Sequence, residues 1–345
     1  MKEYSAIGLD VSDKTVEVAA LDAKGDVVWQ TTVICTPVAI RRAFRDVARS
    51  LVVLETGMHT GWLARLLSEL GQEVVVANAR KVRAIWGDER KSDERDAEML
   101  ARLARSDRRL LRPVTIRSAE TQRTMDVVTG RDALVRSRTQ MVNVVRSLVK
   151  NRGARLRRCS PRSLPQHCRT DFPDTELVEV DPLLATIEAL NAQIVVYDRL
   201  IEAVAKERYQ EATERMSQIT GVGTLTALVF TLVIEDPQRL VCRRTVGAYL
   251  GLTPRRDQSG ETDKQLPITH AGHSMLRRLL VTAAQYVMGP FGPDCELRRF
   301  GERLARRGGK NAKKRAVVAV ARKLAVVMLT LWHSGESYRP LRQVA

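Results

Sequence analysis

Two short apolar runs near the N-terminus each end on an acid, and this repetition limits the fold more than any other feature of the chain. Tyr4-Ser-Ala-Ile-Gly-Leu closes on Asp10, and Leu51-Val-Val-Leu closes on Glu55. Short apolar runs bounded by turn signals read as strands of a covered sheet. Thr15-Val-Glu-Val-Ala-Ala-Leu alternates as the next strand, Asp22-Ala-Lys-Gly-Asp is a turn, and Val27 to Cys35 is a third strand, which makes an antiparallel meander. Gln72-Glu-Val-Val-Val-Ala-Asn is one more buried strand, with helical segments Val38 to Ser50 and Thr60 to Leu70 between the runs. Strands that alternate with helices after a meander predict an α/β layer fold.

Asp10 and Glu55 thus end strands, and Asp93 and Asp96 lie three residues apart at the start of a helical run from Asp93 to Ala104, on one helix face. Like charges a few ångströms apart resist joint ionisation, so acids that converged would call for a counter-charge. Hard oxygen donors select Mg²⁺ or Mn²⁺, and a pair of such ions can clamp a phosphodiester during in-line displacement. The ordinary alternative is a helix cap, a first-turn acid favoured by the helix dipole, and two unrelated strand ends.

The charge balance favours a phosphate-bearing partner. The 345-residue chain, long enough for two domains, carries a net charge of +17, which points to nucleic acid, while an aromatic content of only 4% argues against a surface dominated by base stacking. Cys35, Cys159, Cys168, Cys242 and Cys295 are odd in number and scattered, without zinc spacing, and imply reduced thiols in a cytoplasmic setting. The apolar stretch Ala316 to Trp332 is interrupted by Arg322-Lys323 and reads as a buried helix, with no membrane partner implied.

Arg80, Lys81, Arg83, Arg90, Lys91 and Arg95 surround the acidic helix and could draw phosphates toward it, or form a solvated basic face. Pro113 marks a boundary, and a long helix follows from Ser118 to Lys150. Beyond it an arginine-rich loop holds Arg155, Arg157 and Arg158 as phosphate contacts, the alternative being a solvated linker. Leu183, Ile187, Leu190, Ile194, Tyr197, Ile201 and Val204 form a heptad seam, which could pair with the preceding long helix or with a second chain; self-association is the favoured expectation. Ile219-Thr-Gly-Val-Gly leads into an apolar helix in the manner of a helix-hairpin-helix turn, where Gly221 and Gly223 let backbone amides approach a phosphate, or simply a tight connection between helices. Arg255-Arg-Asp-Gln-Ser-Gly reads as a polar turn with Ser259 a turn serine, and a basic helical region around Gly308-Gly309 brings Arg306, Arg307, Lys313 and Lys314 together.

In combination these motifs resemble the transposases of the insertion sequence 110 family, the DEDD recombinases. The resemblance rests on Gly8-Leu-Asp10-Val-Ser-Asp-Lys, Glu55-Thr-Gly and Lys91-Ser-Asp93-Glu-Arg-Asp96-Ala in the first part. In the second it rests on Ile219-Thr-Gly-Val-Gly, Tyr249-Leu-Gly-Leu-Thr-Pro-Arg, Gln258-Ser259-Gly260 and Ile268-Thr-His-Ala-Gly-His-Ser-Met-Leu-Arg-Arg-Leu-Leu-Val. It spans nearly the whole chain in order. It implies an RNase H-like (RuvC-like) first domain with Asp10, Glu55, Asp93 and Asp96 as ligands of Mg²⁺ or Mn²⁺. It further implies a mainly α-helical transposase domain with Ser259 as nucleophile, Ser274 being the competing serine. Double-stranded donor and target DNA, a structured non-coding guide RNA and a homo-oligomer, dimer or tetramer, would be the partners. The expected divisions are 1–112 for the RuvC-like domain, 113–212 for long helices with basic loop and coiled coil, and 213–345 for the transposase domain. Two other functions compete with an RNA-guided serine recombinase: a metal-dependent junction nuclease in which water attacks, and a nucleic-acid-binding protein whose acids are structural.

Overall fold

The computed structural model describes residues 2–82, 93–173, 178–259 and 262–341, with 80, 81 and 262–265 described through their backbone. The chain divides into two compact units, Met1–Ala119 and Glu120–Ala345.

In the first unit the order is β1 (Ala6–Val11), β2 (Thr15–Leu21), β3 (Val27–Ile34), α1 (Pro37–Phe44), β4 (Leu51–Glu55), α2 (Thr60–Glu69), β5 (Glu73–Ala77), α3 (Ala79–Val82) and α4 (Asp93–Ser106). The strands form one sheet ordered β3-β2-β1-β4-β5, antiparallel through the meander and parallel where β4 joins β1 and β5 joins β4. Asp22 closes the β2–β3 turn by accepting the N–H groups of Lys24, Gly25 and Asp26 at 2.9, 2.8 and 2.9 Å. These bonds hold its carboxyl below the usual range.

Both faces of the sheet are covered, which is why its central strands read as unbroken apolar runs. On one face Ile7, Leu9, Val52 and Leu54 pack with Ile40 and Phe44 of α1 and Leu63 and Leu67 of α2. On the other, Ala6, Val53 and Ala77 meet Leu100, Ala101 and Ala104 of α4. Thr36 caps α1 ahead of Pro37, but the helix stops at Phe44 instead of reaching Ser50. The chain there leaves helical geometry to pair with Lys2, whose N–H reaches the Asp46 carbonyl at 2.8 Å and whose carbonyl accepts from Ala48 at 2.8 Å.

The second unit runs α5 (Ala119–Asn151), α6 (Leu164–Asp171), α7 (Asp181–Arg208), α8 (Gln210–Ser217), α9 (Thr224–Ile234), α10 (Val246–Tyr249), β6 (Pro254–Ser259), β7 (Thr262–Ile268), α11 (Ser274–Met288), α12 (Glu296–Arg306) and α13 (Ala312–Ser334). Its main core joins Met125 and Val128 of α5, Ile201 of α7, Leu228 and Phe230 of α9, Leu276 of α11 and Leu324 and Met328 of α13. The apolar α13 is long enough to cross a membrane by length and composition, yet Ala316, Val320, Ala321, Leu324, Ala325, Met328 and Leu329 all lie in this core.

The heptad seam on α7 packs within the chain, against α5, the first of the two pairings that the sequence left open, in place of the favoured pairing with a second chain. Arg131 pairs with Asp198, and Arg138 donates to Asn191 at 2.8 Å, so the two helices run antiparallel in contact. A Cβ on Gly130 would lie 2.8 Å from the Tyr197 hydroxyl, so the glycine within α5 lets the pair close. Ile194, 4% exposed, sits between these two polar links. Ile194→Glu is therefore expected to lower stability by about 2–4 kcal/mol, because it replaces a buried apolar side chain with a carboxylate that must leave water, while the folded fraction keeps the mass of the wild type in light scattering. An unchanged melting curve with a reduced mass would return the seam to an intermolecular role.

Residues 254–259 and 262–268 correct a second expectation. They form an antiparallel hairpin, β6 against β7, in place of a polar turn, with Ser259 opposite Thr262 at its end.

Candidate active site

The parallel register of β1 and β4 pairs Ile7 with Val52, Gly8 with Val53 and Leu9 with Leu54, so the next positions, Asp10 and Glu55, are neighbours at the C-terminal edge. Because side chains alternate along a strand, Asp10 shares the face of Gly8 and Glu55 that of Val53, the face covered by α4. The approach of that helix is close. A Cβ on Gly8 would fall 1.8 Å from the Ala97 carbonyl oxygen, which any side chain at this position would forbid. Asp96 immediately precedes Ala97, and Asp93 and Asp96 stand in the first turn of α4, where the helix dipole favours acids. Asp10, Glu55 and Asp96 are half-buried and Asp93 is exposed.

Topology thus brings the four predicted acids to one edge and one face of the sheet. It does not assemble them into a finished cage: among the described residues, no three His, Cys, Asp or Glu side chains come close enough together to hold a metal ion. The donor chemistry, carboxylate oxygens alone, suits a hard cation. Arg83, Arg90 and Lys91, predicted to flank this edge, lie outside the described residues, as do the side chains of Arg80 and Lys81.

A histidine at the same edge escaped the sequence reading. His59, in the connection from β4 to α2, places Nε2 3.3 Å from Asp13 Oδ1, in the turn after Asp10, and its Nδ1 accepts the indole N–H of Trp62 at 3.1 Å. The indole bond leaves Nδ1 as the acceptor, so Nε2–H faces the carboxylate. Thr60 steadies the same loop: its hydroxyl donates to the Glu55 carbonyl at 2.8 Å and accepts the Gly57 N–H at 2.6 Å. The loops after Asp10 and Glu55 are therefore strapped together. The His-x-x-Trp spacing across a helix start was the available signal.

Ser259 belongs to the second unit. It is exposed at the end of β6 and carries no side-chain hydrogen bond among the described residues, while its neighbour Gly260 lies outside them. Arg255 and Arg256 share the exposed strand. The competing Ser274 opens α11 and lines a cleft of about 630 Å³ with Arg131, Asp132, Leu225 and His270. Arg278 closes on Asp132 there at 2.8 and 2.9 Å, so much of the charge in the cleft is already compensated.

The predicted phosphate contacts separate by environment. Arg157 grips Asp171 through both carboxylate oxygens, which lowers the pKa of the acid and raises that of the guanidinium. Arg155 and Arg158 are exposed and carry no ion pair among the described residues. Gly221 adopts φ +89° with the Ala283 carbonyl 3.1 Å from where a Cβ would stand, and Gly223 leads into α9, of which only the first turn reaches solvent. Arg306, Arg307, Lys313 and Lys314 are exposed about the α12–α13 connection, which Gly308 and Gly309 turn at φ +73° and +87°.

Comparison with known proteins gives two family matches in chain order. A model for IS110 transposases matches residues 7–152, and one described as "Transposase IS116/IS110/IS902 family" matches residues 213–299. Among similar proteins, the transposase for insertion sequence element IS1111A of Coxiella burnetii is 27% identical over 98% of this chain and 92% of its own length. A probable family 20 transposase of Pseudomonas aeruginosa is 28% identical over 97% of this chain and 99% of its own. A pilin gene-inverting protein of Moraxella lacunata is 31% identical over 113 residues, which are 32% of this chain and 34% of that protein.

Proposed function

The chain belongs to the IS110 family of insertion-sequence transposases, enzymes that act on DNA, and on that premise we propose that it cuts and rejoins donor and target DNA through a bond from Ser259 to one strand. Asp10, Glu55, Asp93 and Asp96 hold Mg²⁺ or Mn²⁺ in this reading, and a structured non-coding RNA selects the sites. The observation that carries it is the delivery of all four acids to one edge and one face of a mixed sheet, an arrangement that also supports the RNase H-like assignment.

In the reaction the Ser259 hydroxyl loses its proton and Oγ bonds to phosphorus, while the bond from phosphorus to one sugar oxygen breaks and that oxygen takes up a proton. The ester keeps the energy of the phosphodiester, so a sugar hydroxyl of a new partner can reverse the step without further cofactor. A serine hydroxyl is a weak nucleophile at neutral pH. A divalent ion held by the four acids would supply neutralisation of charge on the phosphate and acidification of an attacking hydroxyl. The exposed arginines at 155, 158, 255, 306 and 307 draw the backbone in, and the strap from Asp13 through His59 to Trp62 keeps the two strand-end loops in register. Similarity to a protein named for inverting a gene supports rejoining over simple hydrolysis. Dimers or tetramers would associate through surfaces other than the α7 seam, which α5 already covers; Val196 and Leu200, 47% and 46% exposed, lie on the outer side of that helix.

The guided part is tested by strand exchange between donor and target with and without RNA transcribed from the noncoding flank of the element. Exchange is expected only with the RNA, and equal exchange in its absence would overturn guidance.

A further inference from the structure

The connection between α11 and α12 holds a bulky aromatic side chain out of the protein on a rigid support. Gly289-Pro290-Phe291-Gly292 is a β-turn closed by the Gly292 N–H to the Gly289 carbonyl at 3.2 Å, with proline at its second position and Phe291 at its third. Gly292 is required where it stands, because a Cβ there would lie 2.1 Å from the Val287 carbonyl oxygen. One guanidinium nitrogen of Arg298 then donates to the carbonyls of Val287, Gly289 and Gly292 at 3.4, 2.8 and 2.5 Å, which ties the turn to the helix that follows. Phe291 is nevertheless 82% exposed. Few aromatic residues are available to this chain, and a folding requirement would have buried one so firmly placed.

Its surroundings indicate a partner. Tyr286, 48% exposed, is on the last turn of α11, with its ring 3.3 Å from where a Cβ on Gly221 would be, so it borders the glycine turn before α9. An aromatic ring held out on a rigid turn of a strongly basic chain suits DNA with an unstacked base. A fully stacked duplex presents no base face to a ring, whereas a bulge, nick or crossover does.

We propose that Phe291 is a stacking wedge that recognises an unpaired or destacked base in the DNA on which the enzyme acts. The proposal rests on the chain being DNA-acting and is independent of Ser259 and of metal.

The test uses the full chain in EDTA and two duplexes, one matched and one with a two-nucleotide bulge containing 2-aminopurine. Wild type is expected to quench the fluorophore in the bulge. Phe291→Ala should lose the quench and bind the bulged duplex about tenfold more weakly, in line with one lost base stack, while its affinity for matched duplex changes less than twofold. Phe291→Trp should restore both. Equal quenching by Phe291→Ala, or equal loss on both duplexes, overturns the wedge. So does a fall in the mass of the DNA-free protein, which would assign Phe291 to contact with a second copy. If the wild type bound neither duplex, the DNA-acting reading itself would fail first, and the wedge with it.

Discussion

Ser259→Ala protein is expected to form no denaturant-resistant adduct with a DNA substrate that cannot be religated, and to lose strand exchange by more than about a thousandfold. The wild type should be trapped on one strand, with the nucleotide located by mass spectrometry on the peptide holding Ser259. What makes the variant informative is its position. Ser259 is exposed at the end of a hairpin and its hydroxyl bonds to no described residue, so its loss should change stability by less than about 0.5 kcal/mol. An unchanged melting temperature would then accompany the lost chemistry. Ser274→Ala should keep the adduct. An adduct on the Ser274 peptide would move the nucleophile to the cleft beside Asp132 and preserve the mechanism, whereas free cleaved ends under every trapping condition would assign the attack to water.

The physical basis of what could be read from the chain is visible in these contrasts. The central strands were legible because burial on both faces leaves no room for polar residues, and the acids were legible because they interrupt those runs at the sheet edge. The β6–β7 hairpin was not. Residues 255 to 259 are all exposed, so neither face selects apolar side chains and the period of two has nothing to act on. The seam on α7 showed that the helix packs, but a heptad pattern carries no record of its partner; Gly130 facing Tyr197 and Arg131 facing Asp198 decide that, and both pairs join residues far apart in sequence. The arginine at 157, paired, and those at 155 and 158, unpaired among the described residues, are likewise indistinguishable until Asp171 is brought beside the first.

Substituting Asp10, Glu55 or Asp96 with Asn, Gln or Asn is expected to abolish cleavage while leaving DNA binding intact or slightly tighter, since each removes a negative charge near the substrate. The same substitutions should weaken binding of Mn²⁺ measured by electron paramagnetic resonance without DNA. Stability should fall little, by about 0.3–1 kcal/mol for Asp96 through its place in the first turn of α4. A companion variant separates chemistry from architecture. Gly8→Ala keeps every carboxylate but sets a methyl group 1.8 Å from the Ala97 carbonyl oxygen, so α4 has to withdraw from β1. It should cost about 1–3 kcal/mol of stability, and it should also lose cleavage and Mn²⁺ binding, because Asp93 and Asp96 move with the helix while Asp10 and Glu55 stay on the sheet. Wild-type cleavage in Asp96→Ala protein would refute a shared site. Retained cleavage and Mn²⁺ binding in a folded Gly8→Ala protein would show that the acids act without the close seat of α4 on β1.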